Sequence, residues 1–524
     1  MMALARTYDA VVIGVRAHLV EVEASMAAGL PGLVIIGRPD ATLNESRDRV
    51  RAAIINSGLR WPNTRITVGL SPAWLPKKGS SLDIAIALAI LAADGQIPAD
   101  LISRAVGFGE LGLDGRIRPV AGALSAALAV REGLGENLTG QMISGPDDAG
   151  QLAVVPGIET ISAVTLRALA ARLRGEQEPD LDQISPVVRV GPAPGHGPAQ
   201  RGADLDLRDV KGQSLAKFAV EVAAAGGHHL ALLGRAGVGK TLLAERLPGL
   251  LPDLDDDASL DVTSIHQLSG WSGAGLVTRP PWCAPHHTAS RPAMVGGGTD
   301  DRPTIGMVSL AHRGVLFLDE AAEFDPTTLD ALREPLESGA VSIARAGFRV
   351  VYPARFQLVL ASNPCPCGNA MDAHRGAVCS CTPHQRRRYL GRLSGPLLDR
   401  IDVRVVLTRP TLSELQGMRS VGDSSVDVAA RVALARERAA HRLRGTQWDC
   451  LAQVPPVQLL SLWSLPADSV RELDGACSRD TVRGRDRVVR VAWSIADLAG
   501  HGAPSPADVR AALELRSSHQ EWAA

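Results

Sequence analysis

Eight consecutive residues have the spacing of a phosphate-binding loop. They read G-x-x-x-x-G-K-T and are Gly234, Arg235, Ala236, Gly237, Val238, Gly239, Lys240 and Thr241. An apolar run precedes them and a run of helical spacing follows, which is the strand, loop and helix context that this motif requires. The glycines let backbone amides wrap phosphates, Lys240 is expected to reach the β- and γ-phosphates, and Thr241 is expected to bind Mg²⁺. The alternative is a chance Gly-rich turn before a helix.

Two further apolar runs end in polar residues of the kinds that ATP hydrolysis requires. Residues 315–318 are followed by Asp319 and Glu320. Asp319 is predicted to hold Mg²⁺ and Glu320 to orient and polarise the attacking water. Residues 357–362 are followed by Asn363, where a sensor of the γ-phosphate would lie. A core strand that ends in a solvated acidic turn would explain the carboxylates alone, but their position after a P-loop favours an ATP and Mg²⁺ site.

Composition indicates a multidomain globular protein without a global basic field. The chain has 524 residues, of which 45% are hydrophobic and 21% charged, and its formal net charge is −1. Any contact with a polyanion must therefore be local. The N-terminus lacks a signal-peptide pattern, no apolar run approaches membrane-spanning length, and the 7 cysteines suit a reducing compartment. We expect a cytoplasmic protein with no membrane partner.

The N-terminal region, residues 1–175, alternates strand-like and helical stretches, which predicts a mixed α/β or α+β domain. The expected strands are 10–15, 33–36 and 65–70, and the expected helices are 43–56, 82–93 and 123–131. Segments 76–83 and 109–122 resemble the proteolytic domain of Lon proteases, an S5 domain 2-like fold. Ser81 falls at the nucleophile position of that family, but Leu124 stands where its basic Lys should be. The resemblance therefore implies an inactive peptidase domain, and we interpret Ser81 as a helix N-cap.

Composition shifts divide the rest of the chain. Residues 176–203 are dense in Pro and Gly, which predicts a linker. A P-loop α/β core is expected at 204–408, and the helical spacing of 409–524 predicts a C-terminal helical lid. The expected fold class is thus α/β, with three folded domains.

Two groups of residues could ligate a metal. Four cysteines form two close pairs separated by eleven residues, namely Cys365, Cys367, Cys379 and Cys381. Four thiolates can form a tetrahedral Zn²⁺ site, although C-x-C is tighter than the usual spacing. The alternative is four reduced cysteines on a loop, which we disfavour because exposed paired thiols are a redox liability. For the adjacent His286 and His287, loop polarity is favoured over metal binding.

Long motifs in the core resemble the magnesium-chelatase-like AAA+ family. They are A-P-H-H-T-A-S at 284–290, L-D-E at 318–320, N-P-C-P-C-G at 363–368 and S-G-P-L-L-D-R-I-D at 394–402. With the Lon-like N-terminal domain, they resemble the ComM/YifB branch, which is implicated in DNA branch migration during natural transformation. The resemblance implies a hexameric ring. By position it also implies that Asn363 is sensor 1, that Arg400 is an arginine finger reaching a neighbouring subunit, and that Arg483 is sensor 2.

Residues and resemblance together predict an ATP-hydrolysing ring motor that remodels DNA. Two apolar runs around residues 345–347 predict a β-hairpin between the acidic strand and Asn363. In a ring it would face the pore, where Arg345 and Arg349 would meet DNA phosphates. The competing view is that both arginines pair with Glu334 and Glu337 and only stabilise the hairpin. The rival functions are a motor subunit for metal insertion into a tetrapyrrole, an ATP-dependent peptidase and a non-enzymatic scaffold.

Overall fold

The computed structural model describes residues 3–37, 41–77, 79–135, 138–177, 205–271, 273, 275–299, 302–345, 348–370, 379–410, 423–476 and 482–516. They form two compact units. The first comprises Met1–Gly197 and Leu260–Val277, and the second comprises Pro198–Ser259 and Thr278–Ala524. Almost all of the predicted Pro/Gly linker lies outside the described residues.

The first unit is built on a mixed sheet. Its strands are β1 (Ala3–Ile13), β2 (Arg16–Ala27), β3 (Gly32–Ile36), β4 (Arg65–Ser71), β5 (Val106–Gly107), β6 (Glu110–Leu111), β7 (Ile117–Arg118), β8 (Gln141–Ser144) and β9 (Glu159–Ser162). Seven of these pair in the order β3-β4-β2-β1-β5-β8-β9, and β6 pairs with β7. The helices are α1 (Ala41–Asn56), α2 (Asp83–Ala93), α3 (Ala99–Ile102), α4 (Ala123–Glu132), α5 (Pro146–Leu152) and α6 (Leu166–Leu173). These elements confirm the expected mixture of helices and strands.

Helix α2 forms the centre of this unit because it is apolar on every side. All eleven of its residues are buried, as expected for a helix without a polar face. Its one charged residue, Asp83, accepts hydrogen bonds from Arg49 Nε at 2.9 Å and from the backbone amide of Leu111 at 3.2 Å. These bonds satisfy the buried carboxylate.

Two sequence-based expectations for this unit are wrong. Ser81 is not a helix cap, because α2 begins after Leu82 without a side-chain cap. Instead, Ser81 Oγ donates to Asp9 Oδ2 at 3.1 Å, and burial raises the pKa of Asp9 to about 7. The first strand begins at Ala3 rather than at residue 10, and β2 was not predicted at all, although Val20 and Val22 alternate with glutamates as in a half-buried strand.

Residues 260–277 belong to the first unit although they follow the P-loop in the sequence. Ser264 Oγ lies 2.6 Å from Ser125 Oγ in a buried pair. Leu260 joins an apolar cluster that includes Leu124, the residue at the position of the missing base. The side chain of Leu124 therefore has a packing role in this unit.

The second unit is built around a parallel sheet. Its strands are β10 (Leu230–Gly234), β11 (Trp282–Cys283), β12 (Gly297–Thr299), β13 (Arg302–Thr304), β14 (Val315–Leu318), β15 (Ala340–Arg345), β16 (Phe348–Pro353), β17 (Gln357–Ser362) and β18 (Val403–Leu407). The five-stranded sheet has the order β11-β14-β17-β10-β18, and all of its neighbours are parallel. Strands β10, β14 and β17 are buried along their whole length, as parallel strands covered on both faces are.

The remaining helices lie beside this sheet or follow it in the chain, except that the helix Asp256–Leu268 continues into the first unit from Leu260. They are α7 (Ser214–Gly226), α8 (Lys240–Arg246), α9 (Asp256–Leu268), α10 (Arg291–Val295), α11 (Met307–Leu310), α12 (Pro326–Asp330), α13 (Arg333–Ser338), α14 (Pro383–Leu390), α15 (Gly395–Leu398), α16 (Ser425–Leu443), α17 (Pro456–Leu462), α18 (Ala467–Ala476), α19 (Val482–Ala499) and α20 (Pro506–Glu514). Among the described residues, no helix combines the length and apolarity needed to cross a membrane.

A buried carboxylate joins the C-terminal helices to the amino-terminal end of the sheet. Asp402, which precedes β18, lies 3.0 Å from His228 Nδ1 and accepts from Arg487 Nη1 at 2.8 Å and from Arg490 Nη1 at 3.4 Å. Burial alone would raise the pKa of Asp402, but Arg490, His228 and Arg487 outweigh it and hold that pKa well below its usual range. His228 also lies 2.7 Å from Ser494 Oγ of α19.

We predict that Asp402→Asn lowers the stability of the second unit by about 3–5 kcal/mol, because two buried guanidinium groups lose their counter-ion. The carboxylate contributes its stability above an unfolded pKa of about 3.9 and loses it as the pH falls towards the depressed folded pKa. Thermal denaturation between pH 3 and pH 7 measures both effects. The matched control is Asp423→Asn, which removes an exposed partner of Arg431 and should cost about 1 kcal/mol or less. Equal losses in the two variants would contradict the prediction.

Candidate nucleotide site

The P-loop joins β10 to α8 as the sequence predicts. Gly237 and Gly239 adopt φ angles of 79° and 100°, which glycine tolerates best. A β-carbon at either position would meet no atom within 4 Å, so the concave side of the loop is open. Gly234 is needed for a different reason, because a β-carbon there would lie 2.9 Å from the carbonyl oxygen of Leu407.

Lys240 is the central side chain of the site. Its Nζ donates to the carbonyl oxygens of Gly234 at 2.6 Å and Arg235 at 2.9 Å and to Asn363 Oδ1 at 3.0 Å. Burial lowers the pKa of Lys240, and the nearby Asp319 and Glu320 partly oppose that effect. The structure thus joins the P-loop lysine to the predicted sensor residue on the neighbouring strand.

The acidic pair follows β14 at the same edge of the sheet. Thr241 Oγ1 donates to Asp319 Oδ2 at 2.8 Å, which brings together the two predicted Mg²⁺ ligands. Glu320 adopts a left-handed conformation with φ of 50°, and its backbone amide donates to Asp319 Oδ1 at 2.9 Å. This conformation is uncommon for a non-glycine residue and often marks functional sites.

Sequence reasoning did not connect His287 with the site. Its Nδ1 lies 3.5 Å from Glu320 Oε2, and its ring lies against that of His286 with centroids 4.1 Å apart. The sequence signal was the position of the histidine pair just after a short strand. Its meaning depends on the pairing of that strand, β11, with β14, which precedes Glu320. Among the described residues, these histidines do not belong to a cluster that could hold a metal.

Of the two arginines expected to sense the γ-phosphate, Arg400 makes its described contacts outside the P-loop. Arg400 pairs with Glu337 of α13, and its Nη1 donates to the carbonyl oxygen of Pro396 at 2.5 Å. Arg483 lies in the first turn of α19, but its side chain lies outside the described residues. Farther along α19, Arg487 contacts Asp402 at the other end of the sheet. The roles of Arg400 and Arg483 stay predictions.

The four cysteines lie together in a geometry that can hold a metal. The Sγ atoms of Cys365, Cys367, Cys379 and Cys381 all lie within 4.8 Å of one another. Three of the separations are 3.3, 3.7 and 3.6 Å. A tetrahedron of thiolates with Zn–S bonds of about 2.3 Å has edges of about 3.8 Å, whereas a disulfide requires about 2.05 Å. The separations therefore resemble the edges of a tetrahedral site.

Comparison with known proteins identifies the family. Three family models match the chain: "Magnesium chelatase, subunit ChlI" at residues 206–415, "Subunit ChlI of Mg-chelatase" at 22–138, and "Magnesium chelatase, subunit ChlI C-terminal" at 422–516. Protein YifB of Escherichia coli is 40% identical over 501 residues, covering 95% of this chain and 94% of its own. The chain belongs to the ComM/YifB branch of the magnesium-chelatase-like AAA+ family.

Two other relatives extend the match. Competence protein ComM of Haemophilus influenzae is 40% identical over 443 residues, which cover 83% of this chain and 82% of ComM. An uncharacterized protein of Mycobacterium tuberculosis is 46% identical over 523 residues, or 99% of both chains. The similarity thus spans both units rather than the P-loop region alone.

Membership in this AAA+ family implies ATP and Mg²⁺ as ligands, and the residues present fit both. An open loop of glycines and a buried ammonium suit a polyphosphate. A hydroxyl and a carboxylate oxygen 2.8 Å apart, from Thr241 and Asp319, form the oxygen donor set that Mg²⁺ prefers.

We predict that Lys240→Ala abolishes ATP binding, since it removes the cation and the three hydrogen bonds that position it. Glu320→Gln should bind ATP normally but lose turnover, since only water activation is removed. Fluorescent-nucleotide titration and phosphate release measure the two steps separately. The matched control is Glu323→Gln, an exposed carboxylate paired with Arg392, which should keep wild-type turnover. Wild-type hydrolysis by Glu320→Gln would refute the assignment.

Proposed function

We propose that this protein hydrolyses ATP in a ring of identical subunits, six by family resemblance, and uses the energy to remodel DNA as a branch-migration helicase does. The observation that carries the proposal is a pair of hydrogen bonds that start from the P-loop. Lys240 donates to Asn363 and Thr241 donates to Asp319, and these two acceptors follow two strands of one sheet. A scaffold protein would have no need for a buried lysine and an acidic pair held at one sheet edge. The decisive assay compares ATP turnover without DNA and with single-stranded, duplex and four-way-junction DNA.

Each residue of the set has a role in phosphoryl transfer to water. Lys240 and the P-loop amides bind the phosphates, and Thr241 and Asp319 hold the metal. Mg²⁺, when bound, neutralises the phosphate charge that develops during transfer. Glu320 orients the attacking water and accepts its proton, and Asn363 aligns that water with the terminal phosphate. Because this chemistry depends on positioning and charge rather than covalent catalysis, hydrogen bonds that fix these side chains beforehand favour it.

Arg400 completes the site of a neighbouring subunit in this proposal. Within its own chain the guanidinium is occupied by Glu337 and the Pro396 carbonyl rather than by any P-loop residue. An arginine finger has to leave such a resting pair when a neighbouring subunit's phosphate approaches. This arrangement supports hydrolysis at subunit interfaces. The family resemblance alone assigns Arg483 to phosphate sensing.

The hairpin β15–β16 is the proposed DNA contact. It follows the acidic pair and precedes Asn363 in the sequence, and its strands pair from Ala340 with Pro353 to Arg345 with Phe348. The turn and the side chain of Arg345 lie outside the described residues. Arg349 Nε donates to Ser342 Oγ at 3.0 Å across the hairpin, while Glu337 pairs with Arg400. These contacts support an arginine whose other donors can meet DNA phosphates.

The second candidate function is a motor subunit in a metal-insertion complex. The ChlI family models favour it, because they match all three regions of the chain. Both functions require ATP hydrolysis, so ATPase activity alone does not separate them. Turnover stimulated by DNA supports the first, whereas turnover indifferent to DNA but stimulated by chelatase partner subunits supports the second.

Zn²⁺ is the metal we propose for the cysteine cluster. Four thiolates at tetrahedral spacing favour Zn²⁺ over the hard cations, which take oxygen ligands. A single ion would neutralise part of the charge of the deprotonated thiols and close the loop that carries them.

We predict that Arg400→Ala assembles and binds ATP but hydrolyses it roughly 10³–10⁵ times more slowly, as in phosphoryl transfers that lose an arginine finger. Mixing it with Lys240→Ala subunits should restore turnover, because an intact Lys240 site then meets an intact Arg400 at some interfaces. Phosphate release from rings of verified mixed composition measures the rescue. Mixed rings without rescue would argue that Arg400 acts within its own subunit.

We predict that Arg345→Ala combined with Arg349→Ala keeps basal ATPase but loses DNA stimulation and junction unwinding together. Phosphate contacts are salt-dependent and largely independent of sequence, so the remaining binding should also show a shallower salt dependence. The control with the same loss of charge is Arg471→Ala with Arg510→Ala, two exposed arginines of the C-terminal helices. Wild-type unwinding by the hairpin variant would remove the structural support for the DNA function.

A further inference from the structure

The cysteine cluster lies on a loop that touches the nucleotide site. We infer that Zn²⁺ bound by the four cysteines controls ATP binding by fixing both Asn363 and the P-loop. This inference rests on the proposed ATP site, and it assigns the cluster a regulatory role in that site. Two separate contacts carry it.

The first contact runs along the chain. Cys365 follows Asn363 after a single proline, and the strand before them, β17, is buried over its full length. Cys365 itself is fully buried, and its carbonyl oxygen accepts from the amide of Gly368 at 2.9 Å in a tight turn. A metal bound to Cys365 Sγ therefore restrains the backbone two residues from Asn363, whose side-chain oxygen accepts a hydrogen bond from Lys240.

The second contact crosses to the P-loop. Gly368 has a φ of 78°, and a β-carbon built on it would lie 4.0 Å from the backbone nitrogen of Ala236. A side chain at this position would be in ordinary van der Waals contact with the P-loop backbone, so the cysteine turn lies next to the P-loop. Movement of this loop would therefore alter the packing against the P-loop backbone at Ala236.

Without a metal, sulfur atoms make the described contacts between the two cysteine pairs, and these include contacts of Cys367 Sγ with the backbone of Ser380 and of Cys381 Sγ with the backbone of Cys367. The described contacts among Cys365, Cys367 and Cys379 are between sulfur atoms, and thiols are weak hydrogen-bond donors and acceptors. The binding free energy of a structural zinc appears as folding free energy of the segment that holds it. Loss of the ion should therefore release the loop from both Asn363 and Ala236.

Thermodynamic linkage makes the coupling reciprocal. If Zn²⁺ strengthens ATP binding, then ATP must strengthen Zn²⁺ binding by the same factor. The two sites can thus be examined from either direction, and the metal measurement does not depend on hydrolysis or on DNA.

The test uses the full-length protein with Cys379→Ser and Cys381→Ser, which are distant in sequence from Asn363 and the P-loop. Elemental analysis should find one Zn²⁺ per wild-type chain and none in the variant. Titration with a fluorescent ATP analogue should give a Kd at least about tenfold weaker in the variant. The control Cys283→Ser removes a thiol outside the cluster and should keep both values.

Two further measurements test the coupling in case the double cysteine variant fails to fold. Wild-type protein stripped by a chelator should lose ATP affinity and regain it when Zn²⁺ alone is added back. Gly368→Val keeps every thiol but strains the turn, because Gly368 has a φ of 78°, so it should retain zinc and bind ATP more weakly. Equal ATP affinity in stripped and zinc-loaded protein overturns the coupling, and freely titratable thiols without zinc overturn the metal site. Zinc-loaded wild-type protein that binds no ATP would refute the proposed function instead.

Discussion

The buried ammonium group of Lys240 is the charge on which the arrangement of the second unit depends. A buried cation is tolerated only where several acceptors surround it, and here three oxygens do so. Two come from the end of β10 and the P-loop, and the third comes from Asn363 after β17. Parallel pairing of β10 with β17 brings these acceptors to one edge. The strand order and the lysine contacts therefore stabilise each other.

The two ends of the parallel sheet have different roles. Polar residues that follow β10, β14 and β17 form the candidate nucleotide site at the carboxyl end. At the amino end, Asp402 and His228 connect the sheet to α19. Because hydrogen bonds to a buried carboxylate are costly to break, α19 is fixed to the end away from the P-loop. Among the described loops at the carboxyl end, the P-loop follows β10 and the cysteine turn follows β17, whereas the hairpin β15–β16 leads into the amino end of β17.

The sequence predicted much of this unit because its signals are local. The P-loop, the acidic strand and the strand before Asn363 each combine an apolar run with a polar end, and the structure places all three in one sheet. The carboxyl ends of parallel strands lie at one edge of the sheet. Lys240, Asp319 and Asn363 are close together because each lies after one of these strands. The hairpin was also predictable, since two alternating runs flank a glycine.

The features that sequence reasoning missed depend on contacts between distant segments. The pairing of Ser81 with Asp9 joins residues 72 positions apart, so the local pattern suggested a cap instead. The assignment of residues 260–277 to the first unit depends on packing against α4, which no sequence motif indicates. The position of Gly368 next to Ala236 is of the same kind, because neither residue has a functional side chain. Glycines at tight approaches are meaningful only once the opposing backbone is known. For this reason the connection between the cysteines and the nucleotide site became apparent only in three dimensions, although both motifs were evident in the sequence.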